Sequence, residues 1–336
     1  LHDSDKTLPS SDTGERGSFE KSLPSVFGLL LIDGFALMSY ASVLEPFRAA
    51  NVLSGRELYR YIHVSLDGRP TRASNGASIL ADGKVGDPID CDTLFVFAAG
   101  DPSAFDDRRT FTWLRRMALQ GVRMAGVSGG PFLLARAGLL DGHRATIHWE
   151  HQPAFVETFP RVILQSGLYV IDRRRMTCAG GAAGLDLAIE QIERDHGHAL
   201  AVRVGEWFIQ AEPRAADRPQ RASFRDRYGV TNNRVLKVLA NMEECVDDPA
   251  PRSILARIAG VSPRQLERLF REHLGTTVGG AYLGIRLDQA DELIRQTAMP
   301  VTEAALACGF QSPSHFSRTF RARFGVTPSR RREAER

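Results

Sequence analysis

Twice in the last third of the chain, fifty residues apart, a short helical pattern stops at a glycine and a Ser-Pro pair opens a longer amphipathic one. In the first copy Ile254, Leu255 and Ile258 share one face of a helix that ends at Gly260, where a left-handed backbone costs nothing. Ser262 then serves as a cap, and Pro263 takes the first helical position, where its missing N–H does no harm. Leu266, Leu269 and Phe270 recur at i, i+3, i+4 and leave Arg264, Gln265, Glu267, Arg268 and Arg271 on the other faces. In the second copy Val301–Cys308 reads as a helix, Gly309-Phe310-Gln311 as a turn, and Ser312-Pro313 as the next cap. There Phe316 and Phe320 point inward, while Ser314, His315, Ser317 and Arg318 point out. An amphipathic stretch, Ala281–Gln296, joins the two copies. One helix bracing a second, whose N-terminal residues stay free, is the construction of a helix-turn-helix. It puts Arg264, Gln265, Arg268, Ser314, His315 and Arg318 where base edges and phosphates can be reached, and a forked guanidinium suits guanine and phosphate alike.

Charge is distributed to match. Pro251 to Arg336 holds 14 arginines, no lysine and 8 acidic residues, a net +6 that leaves −3 for the rest of a chain totalling +3. A basic end on a mildly acidic body points to a polyanion, here double-stranded DNA. With 43% hydrophobic and 25% charged residues, the 336 residues have the composition of a globular protein of two or three domains. No apolar run approaches the roughly 20 residues needed to span a bilayer. The longest, Val26–Ile32, is strand-sized and runs into Asp33-Gly34. The first 24 residues are polar, rich in Ser, Asp and Gly, and read as a disordered leader rather than a signal peptide. Cys91, Cys178, Cys245 and Cys308 lie far apart, with no Cys-x-x-Cys pair and no His at zinc spacing. That pattern fits reduced thiols in the cytoplasm and no metal site or cofactor.

From Ser25 to about Phe208, short apolar runs alternate with longer amphipathic ones. Val26–Ile32, Tyr61–Leu66, Thr93–Phe97 and Val122–Val127 read as buried strands; Ala41–Asn51, Ala104–Gln120, Pro131–Ala137 and Leu185–Glu193 read as helices. Such alternation implies a parallel sheet covered on both faces. Pro213–Gln220 has no periodicity, and from Phe224 onward the strand signal is gone. The expected organisation is a leader over 1–24, an α/β domain over 25–212, a linker over 213–233 and an all-α DNA-binding domain over 234–332.

One stretch of the α/β domain carries a chemical motif. Gly126-Val127-Ser128-Gly129-Gly130 follows a strand and opens a helix, which is the Gly-x-Ser-x-Gly pattern of a nucleophile elbow. A serine there is expected to stand exposed at the carboxyl edge of the sheet, beside helix N-terminal amides suited to an anion.

Two resemblances bear on these segments. "LARIAGVSPRQLERLFREHLG" and "VTEAALACGFQSPSHFSRTFRARFGVTPSRRR" resemble the two halves of the AraC/XylS DNA-binding domain. The resemblance covers about residues 235–332 and implies two recognition helices in successive major grooves, about 34 Å apart. Val278-Gly279 departs from the family's Ser-Pro turn, and Asp291 stands where the family generally has Arg. "LLLIDGFALMSYASVLEPFRAAN", "SNGASI", "LFVFAAGD" and "GVSGGPFLLARAGLLDGHRATIHWE" resemble the PfpI/class I glutamine-amidotransferase-like domain, often fused to an AraC-type end in bacterial regulators of the GlxA type. That resemblance covers about residues 24–208 and implies a flavodoxin-like parallel sheet sandwich.

Enzymes of that superfamily use a Cys at the elbow, a Glu from the first helix and a nearby His; the matching positions here are Ser128, Glu45 and His148. A serine hydroxyl needs an adjacent general base where a thiol needs little help, so the resemblance reads as a pocket kept for binding with catalysis lost. In that pocket Glu45 would pair with a cationic group, Ser128 with the Gly129 and Gly130 amides would hold a carboxylate or hydroxyl, and Trp149 would stack on a cation. Each has a plainer alternative: Glu45 capping structure, His148 satisfied in the core or at the surface, Trp149 packing in the core. Related sensors respond to carnitine, glycine betaine and arginine. The expectation is therefore a homodimeric, ligand-responsive activator of a catabolic operon that senses a small nitrogenous or quaternary ammonium effector and works with RNA polymerase. The alternative is a serine amidase or hydrolase fused to a DNA-binding domain.

Overall fold

A computed structural model of the chain describes residues 23–210, 212–296 and 299–333. The leader expected over 1–24 lies, but for its last two residues, outside them. The α/β domain opens with β1 (Ser25–Leu31), α1 (Leu37–Ser54), β2 (Tyr59–Ser65), β3 (Thr71–Arg72), β4 (Ser78–Ile79), β5 (Gly83–Lys84) and β6 (Thr93–Ala98). It continues through α2 (Arg108–Leu119), β7 (Arg123–Ser128), α3 (Gly130–Arg136), β8 (Arg144–Ala145), a 3-10 turn at Trp149–His151 and α4 (Gln152–Thr158). It closes with β9 (Ile163–Leu164), β10 (Tyr169–Asp172), β11 (Arg175–Cys178), α5 (Ala183–His196) and α6 (His198–Trp207).

Seven strands form one sheet in the order β10-β11-β7-β6-β1-β2-β5, parallel except for β10 against β11. The apolar runs show why both faces must be covered. Phe27, Leu29 and Leu31 of β1, with Phe95 and Phe97 of β6, pack under α1, α5 and α6. Leu30, Leu94 and Val96 point the other way, on to α2 and α3. Phe27–Leu31 and Leu94–Ala98 thus hold no polar side chain, the mark of a buried parallel sheet, flavodoxin-like in its layering. The helix expected from Ala104 begins only at Arg108, because the Asp107 carboxylate accepts from Arg109 N–H at 3.1 Å and caps it there.

Residues 213–220, read from composition as a linker, lie along the α/β domain as a strap. Asp186, fully buried in α5, accepts from Arg214 N (2.8 Å), Nε (3.0 Å) and Nη2 (2.7 Å) and from Gln210 Nε2 (2.6 Å). Further on, Leu168 N–H donates to Ala216 O at 2.7 Å. The Gln220 amide nitrogen stands within 3.0 Å of Thr146 Oγ1, Ile147 O and Gly167 O.

The helical part comprises α7 (Phe224–Tyr228), α8 (Asn233–Glu244), α9 (Arg252–Ala259), α10 (Pro263–Leu274), α11 (Val278–Gln296), α12 (Val301–Ala307), α13 (Pro313–Phe324) and α14 (Pro328–Glu333). It has two cores. α8, α9 and α10 pack around Leu239, Leu266 and Phe270; α12 and α13 pack around Phe310, Phe316 and Phe320. α11 belongs to both, giving Val278 and Tyr282 to the first and Leu287, Ala290 and Ile294 to the second. Asp291, anomalous as a sequence, is buried on this helix and holds Arg331 of α14 at 2.8 and 3.1 Å, so its partner comes from within the chain.

Candidate functional site

β7 carries Ser128 to the carboxyl edge of the sheet, where the backbone turns left-handed (φ +60°) before α3 begins. A residue with a Cβ in that region is strained by about 1–3 kcal/mol and stays only where its surroundings fix it. Gly129 N–H donates to Ala98 O at 2.8 Å, and His148 N–H reaches Ser128 O at 3.4 Å. Packing accounts for both outer glycines of the motif. A Cβ on Gly126 would stand 2.6 Å from Pro131 N, and one on Gly130 would run into the Val96 carbonyl oxygen. The pattern therefore records a strand folded tightly on to its helix, with or without chemistry at the serine.

The expectation that Ser128 stands exposed is corrected by its cover: the residue is only 7% exposed. Residues 179–182, between β11 and α5, close over it and are tied to α1, with Gly181 N–H donating to Ser39 Oγ (2.8 Å) and Ser42 Oγ donating to Gly181 O (2.6 Å). Ser128 Oγ has no hydrogen-bond partner among the described residues. The Gly129 amide, expected to face a ligand, is already occupied by Ala98 O.

The remaining pocket residues divide. His148 adjoins the elbow through its backbone, while its ring nitrogen Nδ1 lies 3.5 Å from Glu150. Burial pulls its pKa below the usual imidazole value, with Glu150 opposing. Burial and then His148 pull His151 down to about 4. Both rings are neutral at pH 7. Trp149 does have a cation over it, but the cation is the chain's own: the Arg221 guanidinium is 4.5 Å from the ring centroid. Glu45 is not brought to Ser128. It lies six residues beyond Ser39, about 9 Å along the helix, and its carboxylate accepts from Arg48 Nε at 2.7 Å. Burial first, and Glu45 second, push the Tyr40 hydroxyl up to about 12. What α1 presents to the elbow is Ser39 and Ser42.

At the other end of the chain, both Ser-Pro helices are capped as their residues dictate. Ser262 Oγ accepts from Gln265 N–H, and Gln265 Oε1 accepts from Ser262 N–H at 3.0 Å, a reciprocal capping box. Ser312 Oγ accepts from His315 N–H. Arg264, Arg268, Ser314, His315 and Arg318 are exposed, and the three arginines make no ion pair among the described residues. Gln265 is exposed too, although its amide oxygen is engaged in the cap. Arg252 and Arg271 join Arg264 and Arg268 along an open cleft of about 1060 Å³ beside α10. α13 is fastened to α11 by Arg323, which donates to Asp288 at 2.8 and 2.6 Å.

Comparison with known proteins decides what this pairing of domains belongs to. A helix-turn-helix domain family matches residues 255–334, and the DJ-1/PfpI family matches residues 29–194. The HTH-type transcriptional regulator CdhR of Pseudomonas aeruginosa is 44% identical over 306 residues, 91% of either chain. GlxA of Rhizobium meliloti, also an HTH-type transcriptional regulator, is 43% identical over 302 residues, 90% of this chain and 93% of its own. The chain belongs to this family of HTH-type transcriptional regulators. An AraC family regulator from Pseudomonas putida shares the fold, with a TM-score of 0.50 at 22% identity over 55% of this chain and 100% of its own. As a member of the family, the regulator binds DNA and acts on transcription through its AraC-type helices.

Several residues that shape the regulator carry little signal in the sequence. Ser39, Ser42, Gly180 and Gly181 cover the elbow, and the run Ala179-Gly180-Gly181-Ala182 directly after a strand was the available signal. Arg214 and Arg221 lie in a stretch whose composition announces no partner, and nothing local marks them.

Proposed function

We propose that the regulator is ligand-responsive, with its α/β domain binding a small nitrogenous metabolite and processing none. The observation that carries this reading is Ser128, a residue only 7% exposed whose hydroxyl has no base within hydrogen-bonding reach among the described residues. A serine without a base is a poor nucleophile. The strained elbow and its cover nonetheless keep a polar hydroxyl at the sheet's carboxyl edge, where α/β folds hold ligands. In this reading the protein is a cytoplasmic homodimer that activates a catabolic operon in concert with RNA polymerase, and effector binding shifts the balance between two arrangements of its DNA-reading units.

The test is a thermal-shift screen of the full chain against amines and amino acids, glycine betaine and arginine included. A true effector at about a hundred times its Kd adds about 2.7 kcal/mol of stability and raises Tm by roughly 5 °C. A screen without hits counts against sensing. Covalent labelling of Ser128 by a serine-directed phosphonate counts against a non-catalytic pocket.

A further inference from the structure

Arg221, the residue after the strap, stands where three parts of the molecule meet. Its guanidinium covers Trp149 of the α/β domain at 4.5 Å and lies 3.8 Å from Glu243 of α8, and its charge also acts on Glu292 of α11. Gln220, anchored immediately before it, leaves Arg221 little slack. Trp149 belongs to the turn that starts at His148, whose N–H reaches Ser128 O, and this turn and α4 pack directly on α11.

Both ends of that contact lead on to a DNA-reading unit. Glu243 lies on α8, which packs with α9 and α10 of the first unit, and it also accepts from Arg227 at 2.9 and 2.9 Å and from Tyr228 Oη at 2.7 Å. Asp288, one turn before Glu292, is the residue that holds Arg323 of α13 in the second. Acids from both domains and arginines meet at this joint. Glu150 from the 3-10 turn acts on Glu292 across the joint, beside Asp288 and Arg295 of α11 and the Cys308 thiol. Burial, with Glu150 and Asp288, pushes Glu292 up to about 7, and Arg221 and Arg295 oppose it. Without the Arg221 guanidinium, Glu150 and Glu292 face each other with one positive charge fewer between them.

We propose that Arg221 is the pin of an interdomain latch, fastening the Trp149 turn to both DNA-reading units, and that moving Trp149 from the elbow side opens it. The opening step rests on the ligand-responsive reading above; the pin itself does not. Neither base reading nor phosphate contact requires a guanidinium at this place, whereas transmission between the domains requires a contact of this kind.

Hydrogen exchange of the full-length protein tests the latch. Arg221→Ala and Trp149→Ala should each speed exchange in residues 149–158 and 286–295 together, by roughly 3- to 30-fold, the range a partly buried cation–π contact carries. Strands β6 and β7 and helix α10 should keep their rates. Trp149→Phe, which retains a ring under the guanidinium, should restore most of the protection. The double variant Arg221→Ala/Trp149→Ala should do no more than either single change, since both remove one contact. Faster exchange in only one of the two segments, or in β6 and β7 as well, would overturn the latch, as would additive effects. If the latch opens in the variants while glycine betaine and arginine leave wild-type exchange unchanged, the pin stands and triggering by these effectors is overturned.

Discussion

Replacing Gly180 by alanine probes whether the loop over Ser128 is a tight cover. Gly180 has φ +84°, and a Cβ built on it would lie 2.7 Å from Ser128 Cβ, 2.7 Å from Ser39 Oγ and 3.0 Å from Ser128 Cα. Ordinary contact between such atoms is about 3.5–4.0 Å, so something must move by nearly 1 Å. Neither neighbour is free to do so: Ser128 is locked in a strained turn, and Ser39 is buried and bound to Gly181 N–H. The left-handed backbone costs alanine about 1–2 kcal/mol, overpacking adds about 1–3 kcal/mol, and the stiffer unfolded chain returns about 0.4–1 kcal/mol. The net expectation for Gly180→Ala is a loss of about 2–4 kcal/mol.

Gly181 supplies the control. It is also left-handed (φ +56°), but a Cβ there meets nothing within 4 Å, so Gly181→Ala should lose only about 1 kcal/mol. All three tryptophans, Trp113, Trp149 and Trp207, fall in the α/β domain, and Trp113 is buried in its core, so intrinsic fluorescence during urea unfolding chiefly follows that domain. With a urea slope of about 1–3 kcal/mol per molar, the two variants should differ in midpoint by roughly 1 M. Coincident midpoints would refute the cover, and with it the argument that Ser128 is closed off.

Other predictions follow from the same geometry. Arg264→Ala, Arg268→Ala and Arg318→Ala should each weaken binding to a duplex selected by the wild-type protein; loss of a base contact costs about 1–3 kcal/mol and relaxes specificity, while loss of a phosphate contact lowers the salt slope by about 1, both read by titration at several salt concentrations. Asp186→Ala strands the Arg214 guanidinium and the Gln210 amide, and because Arg214 is a third exposed the loss should be about 2–4 kcal/mol in the fluorescence-monitored transition, with a loss under about 1 kcal/mol speaking against a structural strap. For Glu292 the folded protein favours the protonated carboxyl, whose pKa is raised from 4.5 to about 7. Its contribution to interdomain docking is therefore complete below pH 4.5 and is lost as pH rises through 7. Glu292→Gln should remove that slope and strengthen docking at pH 8 by about 1–3 kcal/mol, after allowance for partial exposure, measured as protection of residues 286–295 against a matched wild-type control.

What could be read from the sequence and what could not divide by how far apart the interacting residues lie. A strand buried on both faces declares itself over about five residues without a polar side chain, as at Phe27–Leu31 and Leu94–Ala98, and a Ser-Pro cap with its phenylalanine or leucine stripe declares a helix within ten. Both kinds of signal were legible because they are local. The sequence places Ser128 at the right turn but not its exposure, because its cover arrives on Gly180, fifty residues later, and is held by Ser39, ninety residues earlier. The family resemblance matches Glu45 to the glutamate of the elbow. Yet only the packing of α1 against the loop after β11 decides which turn of that helix faces Ser128, and that turn carries Ser39 and Ser42. The strap is the extreme case. Arg214 finds Asp186, Gln220 finds Thr146 and Arg221 finds Trp149, all across distances at which composition says nothing, so a segment that reads as a spacer proves to be where the two domains are joined. A chain that keeps the elbow's shape while placing no base beside its serine has kept what packing demands, and the residues linking that shape to the DNA-reading helices are those with no local signature.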